Sequence, residues 1–165
     1  MKPSASDIQY CLDRLAIEDV LNRYFQGIDR HDFGQVRSCF SDDIRAIHHN
    51  SPVIEGLDNL IPELEKRAHA NGMRVMTHFM GNINVTMIGT DAALAETNAL
   101  SFHVHEKESG NEIDMRSLRY LDKLKRIEGK WLICERRHTL DWNCWRSAAY
   151  AVAFAERVSQ HPVFA

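Results

Sequence analysis

The sequence predicts an α+β fold, with helices in its first half and an antiparallel sheet in its second. Apolar residues recur at three- and four-residue intervals from Ile8 to Phe25 and again from Leu60 to Ala68, the period of helices with one buried face. Four long segments rich in strand formers follow, at about 74–88, 92–106, 113–126 and 130–142. Only Gly89-Thr-Asp91, Ser109-Gly-Asn111 and Glu128-Gly129 separate them, too little chain for the crossovers that parallel strands require, so the pattern is a meander.

Taken in order, Ser6 or Asp7 can cap a first helix carrying Ile8, Leu12, Leu15, Ala16, Val20, Leu21, Tyr24 and Phe25 on its apolar stripe. The pattern ends after Ile28, where Asp29-Arg-His-Asp32 supplies turn formers. A short second helix with Phe33, Val36, Cys39 and Phe40 follows, closed by Ser41-Asp-Asp43. Residues 44–54 have mixed spacing and a Ser51-Pro52 break, which fits a short strand or hairpin. Asp58 can cap a third helix with Leu60, Ile61, Leu64 and Ala68 facing inward and Gly72 near its end. After the four strands, the alanine-rich stretch from Cys144 to Val158 has helical spacing, so a terminal helix is expected over the sheet or against a neighbouring subunit.

A chain of 165 residues that is 44% hydrophobic can bury one core but not two. The expected organisation is a single domain over residues 1–165, with a core at about 7–142 and a helical extension at about 143–160. A net charge of -3 and the lack of an aromatic-interleaved basic stripe argue against nucleic acid. Cys11, Cys39, Cys134 and Cys144 are too far apart for a metal or disulfide framework and read as reduced, mostly buried thiols. The first residues lack the apolar run of a signal peptide, and no apolar stretch approaches the roughly 20 residues that cross a bilayer. A soluble cytoplasmic protein without a membrane partner is the expectation.

Histidine transfers protons near neutral pH, most usefully when a carboxylate fixes its tautomer and stabilises the imidazolium. Asp29 at a helix end and His78 on a strand could form such a pair, although spacing alone favours a turn cap and a core histidine. In a regular strand, Arg136 shares a face with Leu132, Cys134, His138 and Leu140, and Arg137 takes the other; a bulge would exchange them. His103-Val-His105, with His48-His49, is a weak metal candidate, since two ligands rarely suffice, and a solvated strand end explains it more simply. Asn98 falls on the opposite face from His103 and could line a pocket, as could Met73, Met76, Phe79, Met80 and Met87. Trp142 and Trp145 could close that pocket or simply pack.

The run Ile17-Glu-Asp-Val-Leu-Asn-Arg-Tyr24 leading to Gly27-Ile-Asp29-Arg-His-Asp32, then Val53-Ile-Glu-Gly56, Thr77-His78-Phe79-Met-Gly81-Asn82 and Tyr120-Leu-Asp122, resembles the SnoaL-like branch of the NTF2-like superfamily. The segment Glu128-Gly-Lys-Trp131-Leu-Ile-Cys-Glu-Arg136-Arg137 is similar to that family's last long strand, and the resemblance covers roughly residues 7–142. The branch includes scytalone dehydratase, bile-acid 7α-dehydratase and the lindane dehydrochlorinase. The resemblance implies a cone of helices on a strongly curved, mainly antiparallel sheet around a deep pocket.

By motif position it also implies an acid/base pair of Asp29 and His78, with Tyr24 able to polarise a carbonyl or protonate a departing hydroxyl and Arg136 able to stabilise negative charge. Met80, Phe79, Asn98, His138 and Trp142 are the expected substrate contacts. The implied function is a cofactor-independent lyase, of dehydratase or eliminase type, acting on a hydrophobic cyclic or aromatic small molecule. The alternatives are an isomerase or cyclase using the same pair, or a non-catalytic binding protein or one like a dioxygenase small subunit. Neither metal nor organic cofactor is required. A homo-oligomer is implied, either trimer or dimer.

Overall fold

The structure, a computed structural model, describes residues 3–158. Its first element, α1 (Ala5–Arg30), is capped by Ser4, with Asp7 completing a reciprocal capping box. The cap therefore lies before the expected Ser6 or Asp7. The apolar stripe seats Ile17, Val20, Leu21, Tyr24, Phe25 and Ile28 in the core, and the helix stops where His31 turns left-handed, with φ 58°. Gly27 lets the next helix, α2 (Phe33–Arg37), approach closely, because a Cβ there would lie 2.8 Å from Val36 Cγ2.

The segment Ser41–Asp43 does not close α2; it belongs to β1 (Phe40–Ile47). β1 pairs in parallel with a strand more than eighty residues onward, a partnership that no local pattern can reveal. Its other edge pairs with β2 (Val53–Glu55). The third helix, α3 (Leu57–Ala68), has Gly56 as N-cap and Asp58 in its first turn, so Asp58 assists through the helix dipole instead of capping. A short 3-10 turn (Ala70–Gly72) leads into β3 (Met73–Ile88), β4 (Ala92–Lys107), β5 (Gly110–Ile127) and β6 (Lys130–Ala148).

The sheet order is β2-β1-β6-β5-β4-β3, and every pairing but β1 with β6 is antiparallel. The four expected strands are present and longer than their patterns suggested. β6 continues to Ala148 because residues 142–148 pair with residues 111–117 of β5, so the first third of the expected helix from Cys144 is strand. Cross-strand hydrogen bonds outweigh the weak helical preference of an alanine-rich stretch. Among the described residues of the tail only α4 (Phe154–Val158) is helical, and residues 159–160 of the expected extension lie outside the described residues.

Buried side chains of α1 and α3 pack onto one face of the sheet, over Ala93, Ala95, Ala99, Leu118, Leu124 and Ile133. Each large apolar side chain buried here contributes roughly 1.5–3 kcal/mol. Two bulges in β6 decide which residues share that inner face. Ile133 and Glu135 oppose the consecutive residues Leu124 and Lys123, leaving Cys134 extra; Leu140 and Trp142 oppose Leu118 and Ser117, leaving Asp141 extra. A bulge reverses alternation, so Trp131 and Ile133 join Arg136 and His138 on the inner face. The four cysteines are free, but only Cys39 is buried, fewer than expected. Among the described residues, no helix is long and apolar enough to cross a membrane.

Candidate active site

The last turn of α1 carries two adjacent stripes. Tyr24 and Ile28, four residues apart, face a cavity of about 280 Å³ beneath the helix, whereas Phe25 and Asp29 face an outer groove of about 580 Å³ between α1, β3 and the C-terminal segment. His78, on the strand facing α1, lines both spaces. Its Nδ1–H donates to Asp29 Oδ1 at 2.6 Å, and its backbone N–H donates to Asp29 Oδ2 at 2.8 Å. A carboxylate can only accept, so the contact assigns the ring proton to Nδ1 and leaves Nε2 with a free lone pair. Asp29 lines only the groove, so the imidazole is the member of the pair that reaches the cavity. Phe25 holds the imidazole from one side with ring centroids 5.4 Å apart.

The cavity is the smaller of the two spaces, and its lining suits a ring-shaped ligand better than that of the larger groove. Leu64, Met73, Met76 and Leu118 give it apolar walls, and Tyr24, His78 and Tyr120 add polar tips to its lining. Burial pushes the Tyr24 phenol up, with the Arg136 charge opposing, and pushes Tyr120 well above the ordinary range, so both stay protonated hydrogen-bond donors.

Several expected site residues lie elsewhere. Arg136 faces inward, as one of the two strand registers required, but it is absent from the cavity lining. Its Nε and Nη2 donate to the two carboxylate oxygens of Asp122 at 2.8 and 2.7 Å, and the residue is 2% exposed. Asp122 is its cross-strand neighbour, so pairing is built into the register. The guanidinium lies 3.9 Å from the Tyr24 ring centroid and 4.8 Å from that of Tyr120, behind both rings. Phe79 follows inward His78 and by alternation projects outward, 62% exposed. Asn98 pairs with Arg119 on the outer face and does not reach the cavity. Trp142 would be inward in a regular strand; the Asp141 bulge turns it out opposite Ser117. Met80 lines the groove on the Asp29 side, and His138 lines the cavity.

His103 and His105 are not a solvated strand end. Both line the cavity, with His105 4% exposed, and Trp145 packs on the His105 ring at 5.4 Å. Inward alternation from Ala99 and Ser101 would have placed them there once the face was known. Among the described residues, no three His, Cys, Asp or Glu side chains are arranged to hold a metal ion. His48 and Arg116 also line the cavity; Arg116 Nε donates at 2.6 Å to the buried Asp114. Nothing in local sequence marked Arg116, because its position depends on the register of β5.

The SnoaL-like domain model matches residues 9–137. No functionally curated protein matches by sequence. Among solved structures, a hexachlorocyclohexane dehydrochlorinase (LinA type 2) is similar with a TM-score of 0.76 at 16% identity, the match covering 88% of this chain and 97% of that one. A candidate scytalone dehydratase from Novosphingobium aromaticivorans has a TM-score of 0.73 at 18% identity, with 88% and 95% covered. ActVI-ORFA from Streptomyces coelicolor has a TM-score of 0.66 at 19% identity, with 78% and 96% covered. These likenesses establish a shared fold, and the match over most of the sequence establishes membership: the chain belongs to the SnoaL-like domain family.

Proposed function

We propose that the protein is a cofactor-independent lyase in which His78 is the base and Asp29 its orienting partner. The observation that carries this reading is the 2.6 Å contact of Asp29 with His78 Nδ1, on a ring that also lines a cavity with apolar walls. Nε2 takes a proton from a carbon beside an activating carbonyl or ring, and the released electron pair becomes the new double bond. The leaving hydroxyl departs with its bonding pair, polarised by a hydrogen bond from Tyr24. The imidazolium then returns its proton to the departing oxygen, releasing water and restoring the base. Asp29 stabilises the cation between these steps, and its second oxygen, held by the His78 backbone N–H, keeps the carboxylate from rotating away. Arg136 acts on this chemistry only through Tyr24, whose ring it touches. The relatives described as a dehydrochlorinase and a candidate scytalone dehydratase support an elimination.

A turnover comparison on a panel of hydroxylated cyclic compounds tests the reading. His78→Ala is expected to lose roughly 10²- to 10⁴-fold in rate, the span of a positioned acid or base. Equal rates would remove His78 from the mechanism.

The reading extends to assembly: a homo-oligomer formed through the outer sheet face. Phe79, Leu100 and Trp142 are 62%, 42% and 50% exposed and lie in one cross-strand row with Ser117.

A further inference from the structure

The cavity has a second polar end, formed by histidines that the elimination does not use. Five of the nine histidines line this one space: His48, His78, His103, His105 and His138. His48 and His138 face each other with ring centroids 5.6 Å apart, and His138 packs at 5.0 Å on Tyr120. His48 directly follows β1 and His138 lies on its neighbour β6, whereas His78 sits on β3 at the far edge of the same sheet. Between the two ends run the apolar walls of Ile28, Met76 and Leu118.

We propose that the His48–His138 pair anchors a ring oxygen remote from the reacting carbon, so that the substrate is a ring compound, not a cation, oxygenated at both ends. The inference rests on the reading of His78 as the reacting end and adds the substrate class.

The argument starts from what these imidazoles can bond. Nδ1 of His48 and Nδ1 of His138 are buried without a protein partner; both ring nitrogens of His103 are too, but that ring lies 5.8 Å from His78, at the reacting end. Burial, with nearby Arg charges second, holds His48 down to about 4 and His138 to about 3, so both are neutral at pH 7. A neutral imidazole carries one donor and one acceptor, and so does a hydroxyl, which can satisfy either nitrogen. A wholly hydrocarbon or halogenated ring offers these nitrogens little and leaves them unsatisfied, whereas a site built to bond an oxygen discriminates strongly against its absence. A cation is disfavoured by Arg67 and Arg116, which also line the space. A volume of about 280 Å³ lies just under the roughly 300–1,000 Å³ of pockets for drug-sized ligands, which favours one or two rings over four.

Equilibrium binding by calorimetry tests this without requiring turnover, using 2,6-dihydroxynaphthalene, 2-naphthol and naphthalene as probes. The wild-type chain is expected to prefer the dihydroxy probe to 2-naphthol by about tenfold, the worth of one buried hydrogen bond. In His138→Phe the ratio should fall toward one, and His138→Gln, which keeps a donor and an acceptor, should restore most of it. His48→Leu should reduce the ratio as well, and the circular dichroism of each variant identifies any that fails to fold. A wild-type ratio near one, a ratio preserved in both His138→Phe and His48→Leu, or failure of the dihydroxy probe to bind overturns the proposal. A wild-type preference for the dihydroxy probe that is lost in His138→Phe, together with unchanged turnover in His78→Ala, would overturn only the lyase reading, whereas turnover of mono-oxygenated rings with no binding preference would overturn only the anchor.

Discussion

Arg136 shows how a single residue can carry a pocket-like signature and be occupied elsewhere. Its guanidinium is buried against Asp122 and three aromatic rings, those of Tyr24, Phe40 and Tyr120. Removing one member of a buried ion pair strands the other charge, at a cost of roughly 3–5 kcal/mol. Arg136→Met should therefore lower the urea unfolding midpoint sharply, and Arg136→Met with Asp122→Leu should recover much of the loss. A double variant no more stable than the single one would show that the pair is not the source of the effect. His78 and Asp29 were legible as candidates because the two separate motifs that carry them resemble the family's, whereas their spacing did not mark them; Phe79 and Asn98 were misplaced because pocket residues were expected on both faces of strands that turn only one face inward. The histidines of the cavity's second end were visible as letters, but the inner face had to be known before their position followed.

At the scale of elements, two extra residues in β6 determine more than any local propensity. Without the Cys134 bulge, Trp131 and Ile133 would point away from the face that holds Arg136; without the Asp141 bulge, Trp142 would point into the cavity instead of joining the outer row. That outer row carries the assembly prediction. Light scattering coupled to size exclusion should give a mass above that of one 19.0 kDa chain, and Phe79→Glu with Trp142→Glu should shift it to the monomer. A monomeric wild-type protein at micromolar concentration would overturn it. The tail is a further case: Arg74 Nε donates to the Ala151 carbonyl at 3.3 Å and Arg30 lies 4.7 Å over the Phe154 ring, so the chain after β6 returns along α1 and β3 without forming a long helix.

For the whole molecule, the histidine-lined cavity makes folding sensitive to acid. Burial lowers His48 to about 4, His103 to about 2 and His138 to about 3 in the folded protein, whereas an unfolded histidine titrates near 6.5. Below about pH 6.5 the unfolded chain binds protons that the folded chain refuses, so these groups favour unfolding increasingly as pH falls toward 4. Between pH 7.5 and 5.5 the three together should remove roughly 2–4 kcal/mol, read from urea denaturation at the two pH values. A midpoint that does not move would contradict the burial of these rings as neutral groups. The sequence by itself determined the helix-then-sheet order, the four long strands and the identity of the candidate dyad, because each rests on local periodicity, short connections or a contiguous motif. Only the tertiary structure decided the parallel β1–β6 pairing, the inward set of β6 and the two-ended polarity of the cavity. Each of these depends on register between strands distant in sequence, and one added residue in a strand reverses the face of every side chain beyond it.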